Sequence, residues 1–253
     1  MQIDLNSDLG EGYGPWAMGN DADMLSIVTS ANIACGGHAS DPDTMYTTLT
    51  LARENGVVIG AHPGFNDRAG FGRRVIPMTP DEIGRMCAAQ IGALIGVAAQ
   101  AGAQVRYVKP HGALANLAAQ DRAVADAVMR AVHAIDPALA VLAISGTQSE
   151  HAARAAGLPT YCEIFADRGY LASGQLVPRG QEGAMIHDTD AATDRLISFI
   201  ETGYMPVIDG APIRLDANSI CVHGDSPTAV AMARGIQRRL SDRGIAIAPF
   251  LAP

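Results

Sequence analysis

The sequence predicts one α/β unit in which about seven parallel strands, alternating with helices, close into a barrel. Three observations lead there. Short apolar runs alternate along the chain with longer segments of helical period. At 253 residues, 48% hydrophobic and 17% charged, the chain has the length of one barrel and the composition of a packed core. No linker or low-complexity run divides it, so residues 1–253 read as a single domain.

The strands are expected at 2–8, 30–35, 57–62, 105–109, 140–145, 160–166 and 219–223, runs rich in Val, Ile and aromatic residues that mostly end in Gly, Pro or a polar cluster. Between them the helix starts are signalled in turn. Asp41-Pro42 is a cap followed by Pro, and Thr79-Pro80-Asp81-Glu82 adds a Glu three residues after the cap. Ser226-Pro227 repeats the cap-then-Pro arrangement. Glycines 56, 102, 157, 203 and 244 fall where helices should stop. Strand and helix in alternation require right-handed crossovers, and hence parallel pairing. Segment 169–186, with four glycines, is the longest irregular stretch, read either as an arm over a site or as a surface excursion.

Composition then excludes several functions. A net charge of −8 gives no attraction to nucleic acid or to an anionic membrane. The start, Met1-Gln2-Ile3-Asp4-Leu5, lacks the regions of a signal peptide, and the most apolar stretch, 88–105, is broken by Gln90, Gln100, Gln104 and three glycines. Four scattered cysteines without a Cys-x-x-Cys read as reduced thiols, and the expected location is the cytoplasm. Lys109 is the only lysine among 18 basic residues, so no Gly-Lys-Ser/Thr phosphate cradle exists.

Chemistry gathers at the strand ends. Period two puts Asp4, Asn6 and Asp8 on one face of the first strand, where a barrel interior normally holds branched apolar residues. The second strand runs into Gly36-Gly37-His38, the third ends at His62, and the fourth offers Tyr107, Lys109 and His111. The sixth gives Tyr161, Glu163, Phe165 and Asp167, followed by Arg168, and the seventh gives Cys221, His223 and Asp225. His187 is near such a loop too, while His133 and His151 lie in helical segments. In parallel α/β folds the C-terminal strand ends build the site, so these side chains are expected to converge on one mouth. Each has a plainer reading: a loop hydrogen bond for a histidine, a helix cap for Asp8 or Asp225, an ion pair with Asp167 or Glu163 for Arg168, and a solvated or clamping pair for Arg73-Arg74. Lys109 differs, because a strand-end ammonium is costly to bury unless it is paired or used.

The motifs resemble those of the LamB/YcsF family, whose members are the A component of bacterial ATP-dependent 5-oxoprolinase. The likeness lies in Asp4-Leu5-Asn6-Ser7-Asp8-Leu9-Gly10-Glu11-Gly12, Ser30-Ala31-Asn32-Ile33-Ala34-Cys35-Gly36, Gly60-Ala61-His62-Pro63-Gly64 and Gly70-Phe71-Gly72-Arg73-Arg74. It continues through Lys109-Pro110-His111-Gly112-Ala113-Leu114, Glu163-Ile164-Phe165-Ala166-Asp167-Arg168 and Cys221-Val222-His223-Gly224-Asp225, in that order from first strand to last helix. The family usually carries Cys at Ser7, Phe at Gly37, Gly at Ser40 and Tyr at Ala115, so Ser7 is no essential nucleophile, and Gly37 and Ala115 are expected to reshape the pocket wall.

The resemblance implies a distorted (β/α)7 barrel of the glycoside hydrolase/deacetylase type, a substrate in 5-oxoproline, and a complex with partner subunits B and C; self-association stays open. ATP, in the absence of a P-loop, is expected to be handled mainly with those partners. Lactam hydrolysis needs a base, an oxyanion stabiliser and a carboxylate anchor. Asp8 or Glu163 is the expected base, His62 or His111 the proton shuttle, and Lys109 the oxyanion stabiliser, whose replacement by Met is expected to abolish activity and leave the fold intact. Arg168 or Arg179 is the expected carboxylate clamp, with Asn6, His38 and His223 completing the pocket. Two alternatives accompany this reading. One is a metal-dependent deacetylase using Asp8, His38 and His62 as zinc ligands, although the second histidine of a His-x-x-x-His pair is missing after His38. The other is a non-catalytic component that delivers the lactam.

Overall fold

The computed structural model describes residues 2–222 and 227–252, with the backbone alone for residues 227 and 228. His223, Gly224, Asp225 and Ser226, which include the expected pocket residue His223 and the cap readings at Asp225 and Ser226, lie outside the described residues.

The chain runs β1 (Gln2–Leu9), α1 (Asp21–Leu25), β2 (Ser30–Ala34), α2 (Pro42–Glu54), β3 (Val58–His62), a 3₁₀ turn (Arg68–Gly70), α3 (Pro80–Gln100), β4 (Val105–Val108), α4 (Gly112–Gln120), α5 (Arg122–Ile135), β5 (Ala140–Ile144), α6 (Gln148–Ala155), β6 (Thr160–Phe165), α7 (Thr189–Thr202), β7 (Tyr204–Met205), β8 (Ile213–Arg214), β9 (Ser219–Cys221), α8 (Pro227–Asp242) and β10 (Ala246–Ile247). Strands β1 to β6 pair in parallel in chain order, β6 pairs with β9, and β9 returns to β1 through Asp4↔Ser219 and Asn6↔Cys221. That last pairing closes the seven-stranded barrel that strand–helix alternation predicts. The seven expected strands all form, each within two residues of its expected ends. Two features go beyond the expected pattern: β10 extends the sheet beside the start of β1, and β7 and β8 form a small antiparallel hairpin. Each of these three strands has two residues, too few for a pattern.

Local signals set the helix ends. The Thr79 amide donates to the Glu82 carboxylate at 2.8 Å, and the Glu82 amide donates back to Thr79 Oγ1. Asp41 Oδ1 accepts from the amides of Asp43 and Thr44 at the start of α2. The five expected stop glycines adopt φ between +63° and +75°. α3 is long and apolar enough to cross a bilayer by length and composition, yet it packs along α5 and 44% of its apolar window is buried inside the protein.

The main core, including Leu5, Ile33, Leu94 and Val128, is buried between the barrel and the helices. The barrel interior is layered differently. Val58, Tyr107 and Leu142 form an apolar layer with the C-terminal Phe250 and Leu251; the Phe250 ring centroid is 5.1 Å from that of Tyr107 and 4.9 Å from that of Tyr161. Gly60 makes this layer possible, because a Cβ there would overlap the Tyr107 ring. Polar residues from β1 and their neighbours fill the next layer. Asp4 accepts from the hydroxyls of Thr29, Ser30 and Ser219, and Asn32 receives the Tyr107 hydroxyl at 2.6 Å.

Candidate functional site

Beyond the polar layer, at the C-terminal strand ends, a cavity of about 430 Å³ opens between the loops. Its lining includes Asp8, His62, Lys109, His111 and Glu163, which come from four strand ends distant in the chain. Arg168 and Arg179 also line it. Asn6 and His38 are buried immediately behind the wall, and His187 is exposed and absent from the lining.

Lys109, just past β4, is the electrostatic centre. Its Nζ reaches Glu163 Oε2 at 2.9 Å, Asn6 Oδ1 at 3.0 Å, Asp8 Oδ1 at 3.1 Å and Cys221 Sγ at 3.3 Å. Asn6 and Asn32 tie this group to the barrel: Asn32 Nδ2 donates to Asn6 Oδ1 at 2.8 Å and to Asp8 Oδ1 at 2.9 Å, and Asn6 Nδ2 donates to Ser219 Oγ at 2.7 Å. Asn6 and Asp8, two of the three inward polar residues of β1, thus hold one ammonium. Burial alone would lower the Lys109 ammonium, but Asp8, Cys221 and Glu163 push it well above its ordinary value. The two carboxyls diverge. Burial opposes ionisation of Asp8, yet the pull of His62 and Lys109 outweighs it and holds Asp8 well below the usual carboxylate range. For Glu163 burial wins over the same lysine, and its carboxyl is raised.

Four further groups crowd against Asp8. His62 ends β3, His38 follows β2, His111 precedes α4, and Glu11 follows β1. Asp8 Oδ2 is 3.3 Å from His62 Nε2, His62 Nε2 is 3.0 Å from His111 Nδ1, and Glu11 Oε1 is 3.0 Å from His38 Nε2 and 3.6 Å from His111 Nδ1. The rings of His38 and His111 stack with centroids 3.6 Å apart, and Phe71 meets both edge-on. Gly72, at φ +62°, lies so close that a Cβ would come within 2.6 Å of His38 Cβ. Burial, reinforced by His62, pushes His38 well below its ordinary value, and burial with His38 and His62 does the same to His111. Both imidazoles are therefore neutral at neutral pH.

The mouth is made by the irregular 169–186 segment, which acts as an arm over the site. Arg168 fastens its base: Nε donates to the Ala184 carbonyl at 3.0 Å and Nη2 to the Val177 carbonyl at 2.6 Å. Neither ion pair expected for Arg168 accounts for its hydrogen bonds, which go to arm carbonyls. Burial, then the neighbouring Arg179 charge, lowers Arg168 to about 10. Arg195 of α7 holds the same base from outside, donating to the carbonyls of Phe165, Ala166 and Arg168.

Three site residues escape a reading of the sequence alone. Glu11 falls within the first motif, but nothing in its spacing pairs it with His38. Asn32 has a usable signal, the inward alternation Ser30, Asn32, Ala34. Arg73 lines the cavity while Arg74 clamps Asp67, so the pair splits into two roles. Gly37 is not among the residues lining the cavity, and a Cβ there would press on the Gln90 amide; Ala115 does line the cavity. The carboxylate nearest His38 is Glu11, whereas Asp8 Oδ1 is drawn to Lys109.

Comparison with known proteins turns this geometry into a family assignment. The model of the LamB/YcsF family matches residues 3–253. The chain belongs to the LamB/YcsF family. It is 49% identical over 251 residues to the A component of 5-oxoprolinase from Rhodopseudomonas palustris, covering 99% of each chain. It is 52% identical over 248 residues to the 5-oxoprolinase A component numbered 1 in Agrobacterium fabrum, covering 98% of this chain and 97% of the relative. Among solved structures, the lactam utilization protein of Thermus thermophilus superposes with a TM-score of 0.92 at 40% identity, covering 98% of this chain and 99% of that one. The (β/α)7 barrel described above is thus shared by this LamB/YcsF chain and a relative of known structure.

Proposed function

We propose that this chain is the A component of an ATP-dependent 5-oxoprolinase, in which the barrel mouth opens the lactam of 5-oxo-L-proline to L-glutamate. One observation carries the reading: an acid, a base and a cation line a single cavity in a chain that aligns end to end with relatives named as the A component of 5-oxoprolinase.

Hydrolysis adds water across the ring C–N bond, the hydroxyl going to the carbonyl carbon and the proton to the nitrogen. Amide resonance makes that carbon a poor electrophile, which is the reason to couple the step to ATP. With no Gly-Lys-Ser/Thr loop in the sequence, activation by nucleotide falls to the partner subunits B and C, and this chain receives the lactam or its activated form. The divergent carboxyls take two different roles. Glu163, whose carboxyl burial raises above its ordinary value, takes the proton of the attacking water and returns one to the ring nitrogen. Asp8 stays ionised and fixes Lys109, whose ammonium faces the developing oxyanion. Arg179 and Arg73 at the mouth suit the substrate carboxylate, with Arg168 setting the arm that carries Arg179.

The test is reconstitution with partner subunits, reading 5-oxoproline-dependent ATP hydrolysis and glutamate release. Turnover is expected only with this chain present, and Glu163→Gln should lower it by about 10²–10⁴-fold. Cleavage of 5-oxoproline by the partners alone would make the chain accessory and defeat the reading.

A further inference from the structure

We infer that Glu11, His38, His62 and His111 form a binding site for one divalent transition-metal ion of the zinc class. The inference goes beyond the proposed activity and does not depend on it. One ligand atom from each of Glu11, His38, His62 and His111 lies within 4.8 Å of the other three, and all four residues are buried. Donors about 2.0–2.1 Å from a tetrahedral ion stand roughly 3.4 Å apart. The closest pairs here, at 3.0, 3.0 and 3.6 Å, bracket that spacing.

The hydrogen bonds of the rings make the case sharper. His62 Nδ1 lies 2.6 Å from the Lys109 carbonyl oxygen, and His111 Nε2 lies 2.9 Å from that of Phe71. A carbonyl only accepts, so each of these nitrogens carries the proton and donates it. With those two nitrogens engaged, the ring atoms left to act as ligands are His62 Nε2 and His111 Nδ1, which face each other at 3.0 Å. The Glu11 carboxylate, also an acceptor, stands beside them. Three potential ligand atoms turned toward one point suit a cation between them. An imidazole anchored through its far N–H to a backbone carbonyl is the usual support of a metal-bound histidine, and two of the three rings have it. Three imidazoles and one carboxylate suit zinc, cobalt or a similar ion better than calcium or magnesium, which take mostly oxygen. With the ion bound, His62 and His111 serve as ligands, and proton transfer in the proposed reaction falls to Glu163.

The test uses the full chain, expressed and purified without chelator, with metal content measured by elemental analysis. One equivalent per chain is expected, together with the visible absorption of low-symmetry cobalt when Co²⁺ is loaded into the stripped protein. Zn²⁺ at about a hundredfold excess over its Kd should raise the Tm of stripped protein by about 5–10 °C. Glu11→Gln and, separately, His38→Gln should each reduce retained metal at least tenfold, while His187→Gln, an exposed histidine, should leave it unchanged. Two variants are used so that a folding failure in one leaves the other to decide. A protein that holds no metal and shows no Tm response to Zn²⁺ or Co²⁺ overturns the inference and leaves a shared proton between His62 and His111. Full metal retention in both variants overturns it equally, by moving the ion elsewhere.

Discussion

Replacing Lys109 by Met removes the cation that the buried Glu163 and the partly buried Asp8 share. At an effective dielectric of about 20, an ion pair at 2.9 Å is worth roughly 6 kcal/mol and one at 3.1 Å roughly 5 kcal/mol before desolvation is counted. Desolvation already offsets much of that in the native protein, so the net loss on breaking such a centre is about 3–5 kcal/mol. For a chain of this size that corresponds to a Tm lower by about 6–20 °C at neutral pH. The expectation that Lys109→Met leaves the fold intact is revised accordingly. Because the Glu163 carboxyl is already raised, the variant can recover part of the loss by protonating it, and the deficit should shrink near pH 5. Removing the charge instead, in Lys109→Met with Glu163→Gln, should be more stable at neutral pH than Lys109→Met alone. Urea and thermal unfolding of the three proteins at two pH values give the comparison. A single variant within about 1 kcal/mol of wild type, or a double variant no more stable than the single, would refute the reasoning.

Other outcomes follow from individual residues. Ser40 is buried with φ +75°, a left-handed conformation that the family's usual glycine adopts freely, so Ser40→Gly should raise stability by about 1 kcal/mol in a thermal melt; no gain would show the strain to be absent. Gly60→Ala forces a methyl into the Tyr107 ring and should cost about 1–3 kcal/mol or more, whereas a neutral result would mean that the ring has room to move. Asp8, depressed in the folded state, contributes stability that is fully present above about pH 4 and lost as pH falls through its lower folded value. The stability gap between wild type and Asp8→Asn should thus be widest near neutrality and close below about pH 4. A gap of constant size down to about pH 3 would assign the effect to packing instead of charge.

The barrel is legible in the sequence because short strand-forming runs, of which β5 (Ala140–Ile144) is apolar throughout, alternate with well-capped helical segments. β7, β8 and β10 are not, since two residues carry no period. At the site, Asp8, His62, Lys109, His111 and Glu163 stand out by their place at strand ends. Their partners are harder to see. Glu11 reaches His38 only because the Gly10-Glu11-Gly12 turn and the loop after β2 fold toward each other, a contact 27 residues apart in sequence. Arg73 and Arg74 look alike in sequence, and only the turn at Arg68–Gly70 sends one toward Asp67 and the other toward the mouth. Arg168 reads in sequence as a hand for the substrate, but its guanidinium is engaged with arm carbonyls.

Phe250, Tyr107 and Tyr161 stopper the end of the barrel opposite the cavity, so that among the described residues the chamber opens toward the arm. A companion protein that covers that opening during the reaction has to withdraw before the next cycle begins. Turnover in such an assembly includes a gating movement, and its pace can be set by the fit of the companion on the rim as much as by bond breaking inside.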